Sequence, residues 1–257
     1  MKSGHNLRVP SDFELDLLSL EAELRARLRT PLPGPDVQRR FAPLPALKSW
    51  DPAARPEHAR QAAALLLLYP GPRGPSLVLT ERHADLPHHG GQISLPGGGV
   101  HEGETVAEAA IREAHEEIGV DPSAVRVVGA LSSLWVLVSG FVVHPIIAMA
   151  DTRPGFAASA REVETLIEMP VAVLRDPARL RWQRRLRQRA DGTTVALRVP
   201  YFALDESGHQ VPGPTAHAPQ VWGATAMILG EFFALLDPAF GPAPAPEALD
   251  DGSITLF

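Results

Sequence analysis

The sequence has 257 residues, of which 45% are hydrophobic, so it can bury one substantial core and still carry an extension. Its formal net charge of −6 and pI near 5.9 argue against a nucleic-acid binder held by bulk electrostatics. Because the chain contains no cysteine, disulfides, thiol catalysis and cysteine zinc sites are excluded.

A helix followed by an irregular connector is predicted for residues 1–60. Ser11-Asp12-Phe13-Glu14 has the form of a capping box. The apolar residues that follow recur at helical spacing: Phe13, Leu17, Leu20, Leu24 and Leu28. We expect this helix to pack on the main domain or on a second subunit. Prolines in residues 31–56 should prevent regular pairing there. No apolar signal core follows Met1, so a cytoplasmic location is expected.

Hydrophobic runs predict an α/β domain over residues 61–237. Core strands are expected at residues 61–68, 75–80, 125–131, 141–148 and 194–204, a short segment at 171–177, and a second helix at 224–236. The apolar stretch 131–149 is interrupted by Ser139-Gly140 and His144-Pro145, which favours two strands and a loop over a membrane span. Strands with helices on both sides make an α/β/α sandwich with a mixed sheet. The Pro/Ala-rich tail, residues 238–257, should be ordered only in part.

A third helix carries a cluster of acids after the glycine run of residues 97–99. Glu113, Glu116 and Glu117 stand at positions i, i+3 and i+4, so they share a helix face and should point outward. An apolar face formed by Ala107, Ala110, Ile111, Ala114 and Ile118 should pack inward. Clustered carboxylates repel one another unless a cation lies among them, and hard oxygen ligands select Mg²⁺ or Mn²⁺. The alternative is an amphipathic helix with a solvated acidic face.

A longer pattern surrounds these acids and matches the Nudix box, G-x5-E-x7-R-E-U-x-E-E-x-G-U. The residues at its fixed positions are Gly98, Glu104, Arg112, Glu113, Glu116, Glu117 and Gly119. Ala114 is smaller than the usual aliphatic residue at its position. The chain therefore resembles the Nudix hydrolases, which cleave nucleoside diphosphates linked to another moiety.

The resemblance assigns roles to individual residues. It implies that Mg²⁺ or Mn²⁺ is held by Glu113, Glu116, Glu117 and the Gly97 carbonyl. Arg112 and Glu104 resemble the pair that steadies the helix and orients its acids. The metal would screen the diphosphate and lower the pKa of the attacking water. The general base stays open between Glu113 on the helix and two loop acids, Glu162 and Glu164.

A second motif lies upstream and is similar to that of coenzyme A diphosphatases. Thr80, Arg82, Gly91 and Pro96-Gly97-Gly98 align with it, which suggests Arg82 and Gly91 as substrate-binding residues. Three positions depart from the motif: His83, Pro87 and Leu95. Pro87 replaces an arginine that could pair with a phosphate. Three further segments also resemble the coenzyme A diphosphatases: residues 139–145, 199–202 and 221–226.

This second resemblance implies hydrolysis of coenzyme A or its thioesters to adenosine 3',5'-bisphosphate and 4'-phosphopantetheine, free or acylated. ADP-ribose, NADH or another nucleotide is the alternative substrate, and a non-catalytic nucleotide sensor is a further alternative. The expected partner is a small nucleotide, with no nucleic acid and no membrane, and the resemblance suggests a homodimer. The arginine-rich residues 179–189 are either a basic substrate patch or a solvated hairpin strand that turns at Asp191-Gly192. His88 and His89 are expected to face solvent or substrate.

Overall fold

The computed structural model describes residues 16–46, 50–85, 90–188, 192–204, 209–210, 219–246 and 255–256. Its helices are α1 (Leu17–Arg27), α2 (Gly34–Arg40), α3 (Val106–Ile118), α4 (Val171–Leu174) and α5 (Gly223–Leu236). Its strands are β1 (Arg60–Gly71), β2 (Gly74–Arg82), β3 (Ile93–Ser94), β4 (Gly97–Gly99), β5 (Arg126–Ala130), β6 (Leu134–Val136), β7 (Phe141–Met149), β8 (Val163–Pro170), β9 (Leu180–Gln188), β10 (Thr194–Ala203), β11 (His209–Gln210), β12 (Gln220–Trp222) and β13 (Thr255–Leu256).

The main sheet is mixed and has the strand order β11-β8-β2-β1-β7-β5. Strand β1 runs parallel to β7 and antiparallel to β2. Three short strands pair antiparallel with the longer ones: β3 with β2, β4 with β1 and β6 with β7. A smaller sheet has the order β12-β10-β9-β13. The predicted α/β/α sandwich with a mixed sheet is confirmed.

Strand β1 lies at the centre of the fold because both of its faces are buried. Leu66 and Leu68 face the core that contains α1, α2 and α5, whereas Leu65 and Leu67 face the core that contains α3. All four leucines have no exposed surface. A continuous apolar run is what a strand covered on both faces requires. Helix α3 is thereby held against one face of the sheet.

The ends of α3 are fixed by local hydrogen bonds. Thr105 and Glu108 form a capping box at its start: the Thr105 hydroxyl accepts from the Glu108 N–H, and the Glu108 carboxylate accepts from the Thr105 N–H. The helix ends at Gly119, which has the left-handed conformation (φ 69°) that glycine adopts without strain. These two ends set the position of the acids between them.

The N-terminal segment packs on the main domain. Helix α1 begins at Leu17 after an N-cap at Asp16, and Leu20 and Leu24 are fully buried in the core shared with α5. This confirms the predicted packing of an N-terminal helix on the domain. The predicted capping box at residues 11–14 lies outside the described residues.

The connector contains more regular structure than its prolines suggest. Helix α2 lies within it and has a proline in its first turn, where the missing N–H costs nothing. Leu44 also pairs with Arg198 of β10 through two backbone hydrogen bonds of 2.8 Å. The expectation that prolines exclude regular pairing throughout residues 31–56 is therefore wrong at these places.

A buried carboxyl group joins this connector to α5. Glu231 has no exposed surface, and its Oε1 accepts hydrogen bonds from the Gly34 N–H (3.2 Å) and the Ser132 N–H (3.0 Å). Its Oε2 accepts from Gln38 Nε2 at 2.8 Å. Because Gly34 is the first residue of α2, the carboxyl group also compensates that helix end.

The predicted core strands are confirmed within a few residues, as are α5 and the division of residues 131–149 into two strands and a loop. Strand β8 was not predicted, because the acids in this segment indicated a loop. The hairpin reading of the arginine-rich segment is confirmed, since β9 pairs antiparallel with β10. Its strand is not fully solvated: Arg185 is buried over the Trp222 ring, and burial lowers its pKa to about 10.

None of the helices in the described ranges is long and apolar enough to cross a bilayer.

The start of the tail is held by an aromatic cluster. Phe240 is buried against the rings of Phe41, Phe202 and Phe233. The aromatic cluster thereby joins the connector, β10, α5 and the tail.

Replacing Glu231 with alanine should lower the free energy of unfolding by about 3 kcal/mol, because two backbone N–H groups and the Gln38 amide lose a buried acceptor. Glu231→Gln keeps one acceptor oxygen and should cost less. Glu23→Ala, which removes a surface ion pair with Arg27, is the control and should change stability by less than about 0.5 kcal/mol. Urea denaturation measures all three, and equal stabilities of the alanine variants would contradict the assigned role.

Candidate active site

The site forms where the glycines of β4 pass beneath α3. Gly97 and Gly98 pair with Ala64 and Ala63 of β1. A Cβ atom on Gly97 would lie 2.2 Å from the Ala63 carbonyl oxygen, and one on Gly98 would lie 2.5 Å from the Glu113 carboxylate carbon. Glycine is therefore required at Gly97, because a side chain there would push the strand away from β1, whereas a side chain at Gly98 would displace the Glu113 carboxylate.

Glu117 is the buried member of the acidic cluster. It is only 3% exposed, and its Oε2 accepts a hydrogen bond from the Gly97 N–H at 3.1 Å. Arg82 Nη1 lies 3.3 Å from its Oε1. Burial raises the pKa of Glu117 to about 7, although the Gly97 N–H and Arg82 act in the opposite direction. The expectation that all the acids of α3 point outward is wrong for Glu117, which faces the sheet together with Ala110 and Ala114.

Arg112 binds the three other carboxylates near the site, those of Glu104, Glu113 and Glu116. Its Nε and Nη2 donate to the two carboxylate oxygens of Glu104 at 2.8 and 3.1 Å. Its Nη1 donates to Glu113 at 2.9 Å and to Glu116 at 3.2 Å, and its Nη2 also reaches the Gly99 carbonyl at 2.9 Å. The Arg112 guanidinium lowers the pKa of Glu104 to about 2, helped by the His101 N–H. One guanidinium thus holds three carboxylates and the glycine strand together.

The two candidate acids near β8 have different environments. Glu162 directly precedes β8, and its Oε2 lies 4.0 Å from Arg82 Nη2, so Arg82 stands between Glu162 and Glu117. Glu164 lies on β8 and pairs instead with His83 Nδ1. Burial and the nearby Glu164 raise the pKa of Glu81. Of the two acids, Glu162 is the one that shares a cation with the acidic helix.

The first three matched residues of the upstream motif lie on β2 and in the turn that leads to β3, and Arg82 is the one of these that contacts Glu117. Strand β3 pairs with β2, so the Thr80 hydroxyl lies 3.1 Å from that of Ser94. The Gly91 N–H donates to the Arg82 carbonyl at 2.9 Å, and Gly91 has a positive φ of 69°. Gly91 therefore contributes a backbone turn that holds the Arg82 strand. Pro87, His88 and His89 lie outside the described residues.

The donor set fits a hard divalent cation. In the described part of the chain, no three His, Asp or Glu side chains are grouped so as to hold one metal ion, and Arg112 and Arg82 bind the carboxylates of α3. Glu113 and Glu117 nevertheless flank the same two glycines, and Glu116 lies one turn from Glu113. Carboxylates beside an open backbone are the ligands that Mg²⁺ and Mn²⁺ prefer. Gly97 contacts this cluster through its N–H, whereas the sequence suggests its carbonyl.

One contact of the site was not predicted from the sequence. His83 was noted only as a departure from the upstream motif, but it pairs with Glu164. The signal was present in the alternation of buried Val163 and Thr165 with the exposed Glu164, which is typical of a strand beside β2.

Residues 59–147 match the NUDIX domain family. A relative from Pectobacterium atrosepticum called "Uncharacterized Nudix hydrolase NudL" is 39% identical over 121 residues, which are 47% of this chain and 62% of the relative. Its namesake in Escherichia coli O7:K1 is 41% identical over 114 residues, 44% of this chain and 58% of the relative. The chain spans about three fifths of the length of these curated relatives.

Among solved structures, the Nudix hydrolase RenU from M. smegmatis is 29% identical, covers 44% of this chain and 71% of its own, and gives a TM-score of 0.39. The family match and the curated relatives show that this chain contains a NUDIX domain over residues 59–147 and that it is similar to proteins named Nudix hydrolases over less than half of its length.

The raised pKa of Glu117 predicts a pH-dependent stability in EDTA. The protonated carboxyl favours the fold below its unfolded pKa of 4.5, and this contribution is lost as the pH rises towards about 7. Glu117→Gln does not titrate, so its stability relative to the natural protein should rise by about 3 kcal/mol between pH 4.5 and 8. Urea denaturation across this range measures the difference, and parallel pH curves would contradict the assignment.

Proposed function

We propose that the protein is a metal-dependent diphosphatase, and that coenzyme A or one of its thioesters is the substrate. The observation that carries the proposal is the meeting of two motifs at Glu117. Arg82 from the upstream motif and the Gly97 N–H from the glycine run both contact this carboxylate, while Arg112 gathers Glu104, Glu113 and Glu116 beside it. Acids and cations are thus concentrated beside a partly buried glycine strand.

Glu113, Glu116 and Glu117 are the proposed metal ligands, and the backbone at Gly97 lies against them. A bound Mg²⁺ or Mn²⁺ would neutralise diphosphate charge and lower the pKa of the attacking water. Arg112 keeps the acids close together despite their repulsion, since a single guanidinium contacts Glu104, Glu113 and Glu116. Arg82 can contact a phosphate oxygen with the donors that now face Glu117 and Glu162.

We propose Glu162 as the general base, with Glu113 as the alternative. Glu162 is half exposed and lies next to Arg82, so its carboxylate can reach a water on the open side of the site. Glu113 is more enclosed, because Gly98 covers its carboxylate and Arg112 binds it. Glu164 is the weakest of the three, because His83 already occupies it.

The choice of coenzyme A rests on the upstream motif. Thr80, Arg82, Gly91 and residues 96–98 match the pattern of coenzyme A diphosphatases, and the fold brings Arg82 to the acidic helix. Pro87 at the place of a second arginine supports the alternative substrates ADP-ribose and NADH. A nucleotide-sensing module is disfavoured, because such modules typically lose catalytic acids and all three acids of α3 are retained here.

Substrate and cleaved bond can be tested together. Incubation of the protein with coenzyme A and Mg²⁺ should give adenosine 3',5'-bisphosphate and 4'-phosphopantetheine, identified by mass spectrometry. NADH and ADP-ribose, tested in parallel with Mg²⁺ and with Mn²⁺, should turn over more slowly. Hydrolysis of either of these with none of coenzyme A would overturn the substrate and keep the diphosphatase. Hydrolysis of none would leave the sensing module as the better description.

Glu117→Gln should lower kcat by about 10³-fold, because the carboxylate between the glycines and Arg82 is lost. The fold should persist, since glutamine has the same shape and can still accept from the Gly97 N–H. The matched control is Glu23→Gln on the exposed side of α1, which should retain full activity. Circular dichroism verifies folding, and undiminished turnover by Glu117→Gln would remove Glu117 from the metal ligands.

A further inference from the structure

The loop formed by residues 151–162 joins β7 to β8 and ends at Glu162. We name it the β7–β8 loop. Its middle is bound to the end of the acidic helix: the Ala157 N–H donates to the Ile118 carbonyl and the Ser159 N–H donates to the Glu117 carbonyl, both at 2.8 Å. The last carbonyls of a helix have no partner within the helix, so the loop supplies two of the missing donors.

The fit between this loop and α3 is close. A Cβ atom on Gly119 would lie 2.8 Å from the Ala157 Cβ and 2.9 Å from the Ala157 carbonyl oxygen. Gly119 also has a positive φ, so it both ends the helix and makes room for the loop. The path of the loop is therefore tied to the helix that carries Glu113, Glu116 and Glu117.

The start of the loop is anchored by an arginine. Arg153 Nε donates to Glu168 Oε2 at 2.8 Å, and its Nη2 reaches Glu168 Oε1 in the same bidentate pair. The Tyr69 hydroxyl donates to Glu168 Oε2 at 2.9 Å. Tyr69 has no exposed surface, and burial raises its pKa, so it remains a neutral donor. Glu168 is thereby held from two sides and offers Arg153 a fixed partner.

An aromatic contact covers this anchor. The Phe156 ring stands edge-on to the Tyr69 ring with 5.4 Å between centroids, and the Arg153 guanidinium carbon lies 5.4 Å from the Phe156 centroid. Arg153, Phe156, Tyr69 and Glu168 form one contiguous group, which we name the loop anchor. The loop anchor connects the start of the β7–β8 loop to β8, because Arg153 lies near the start of the loop and Glu168 lies on β8, the strand that Glu162 precedes.

We infer that Arg153 is a positioning residue that acts through Glu162. The inference rests on the proposed function, in which Glu162 is the base. Beyond the anchor, the Glu162 and Val163 N–H groups both donate to the Ser159 carbonyl, and the Glu162 carbonyl accepts from the His83 N–H at 3.1 Å. Fixed contacts at Arg153, at the helix end and at His83 leave the Glu162 carboxylate beside Arg82.

Exposure distinguishes this role from simple stabilisation. The Arg153 side chain is 50% exposed, and ion pairs that are so exposed contribute little to the free energy of folding. Catalysis is far more sensitive to the placement of a base than folding is to such a pair. Loss of Arg153 should therefore change kcat more than it changes the melting temperature.

A double-mutant cycle with coenzyme A and Mg²⁺ tests the inference. Arg153→Met should lower kcat about tenfold with little change in KM, and Arg153→Lys should recover part of the loss. In a Glu162→Gln background, where the base is already absent, Arg153→Met should lower kcat less than about twofold. Arg27→Met, which breaks an exposed ion pair on α1, is the matched control and should leave kcat unchanged.

Equal losses in the two backgrounds would overturn the inference, as would a Glu162→Gln variant as active as the natural protein. Hydrogen exchange provides a readout that does not depend on turnover. In Arg153→Met the amides of Ala157 and Ser159 should exchange about tenfold faster, with those of β1 unchanged. Unchanged protection would show that Arg153 does not hold the loop. If the natural protein cleaves no diphosphate, the proposed function fails, and the exchange measurement still decides whether Arg153 holds the loop.

Discussion

The close approach of α3 to the glycine strand is the constraint on which the site depends. The absence of a Cβ atom at two positions lets β4 pair with β1 close beneath the helix, so that Glu113 covers Gly98 and Glu117 reaches the Gly97 N–H. The same approach buries Glu117 and raises its pKa. Burying a carboxylate in this position is costly for folding, and the Gly97 N–H and Arg82 offset part of that cost.

The electrostatic arrangement follows from that placement. Four acidic side chains lie near one another, and they are compensated by Arg112 on the same helix and by Arg82 from β2. Both arginines bind carboxylates that a divalent cation would also bind. In the proposed function, a bound cation would therefore compete with the two guanidinium groups for these oxygens. Release from Glu117 would make Arg82 available to a phosphate.

Much of the fold is encoded locally and could be predicted. The unbroken apolar run of β1 predicts a strand covered on both faces, and the spacing of Ala110, Ala114 and Ile118 predicts the packed face of α3. Strand β8 was not predicted because its acids indicated a loop, whereas the structure pairs Glu164 with His83 and Glu168 with Tyr69. Helix α2 was missed because prolines that break a helix interior are favourable in its first turn.

The placement of Glu117 could not be predicted from helical spacing alone. Spacing shows that three acids share a face, but which of them turns towards the sheet depends on how closely the neighbouring strand approaches. That approach is set by the pairing of the glycines with β1, a strand that lies far from α3 in sequence. Likewise, only the tertiary structure distinguishes Glu162 from Glu164, since the former meets Arg82 and the latter meets His83.

Different elements of the fold contribute different side chains to the site. Helix α3 supplies Glu113, Glu116 and Glu117 beside the glycine strand, whereas β2 supplies Arg82 and the β7–β8 loop supplies Glu162 from outside the Nudix box. The described part of the N-terminal segment packs on the opposite face of the sheet through Glu231 and the aromatic cluster, so it stabilises the sheet without touching the acids. In the proposed function, we therefore expect substrate choice to depend on the Arg82 side of the site, which lies outside the acidic helix.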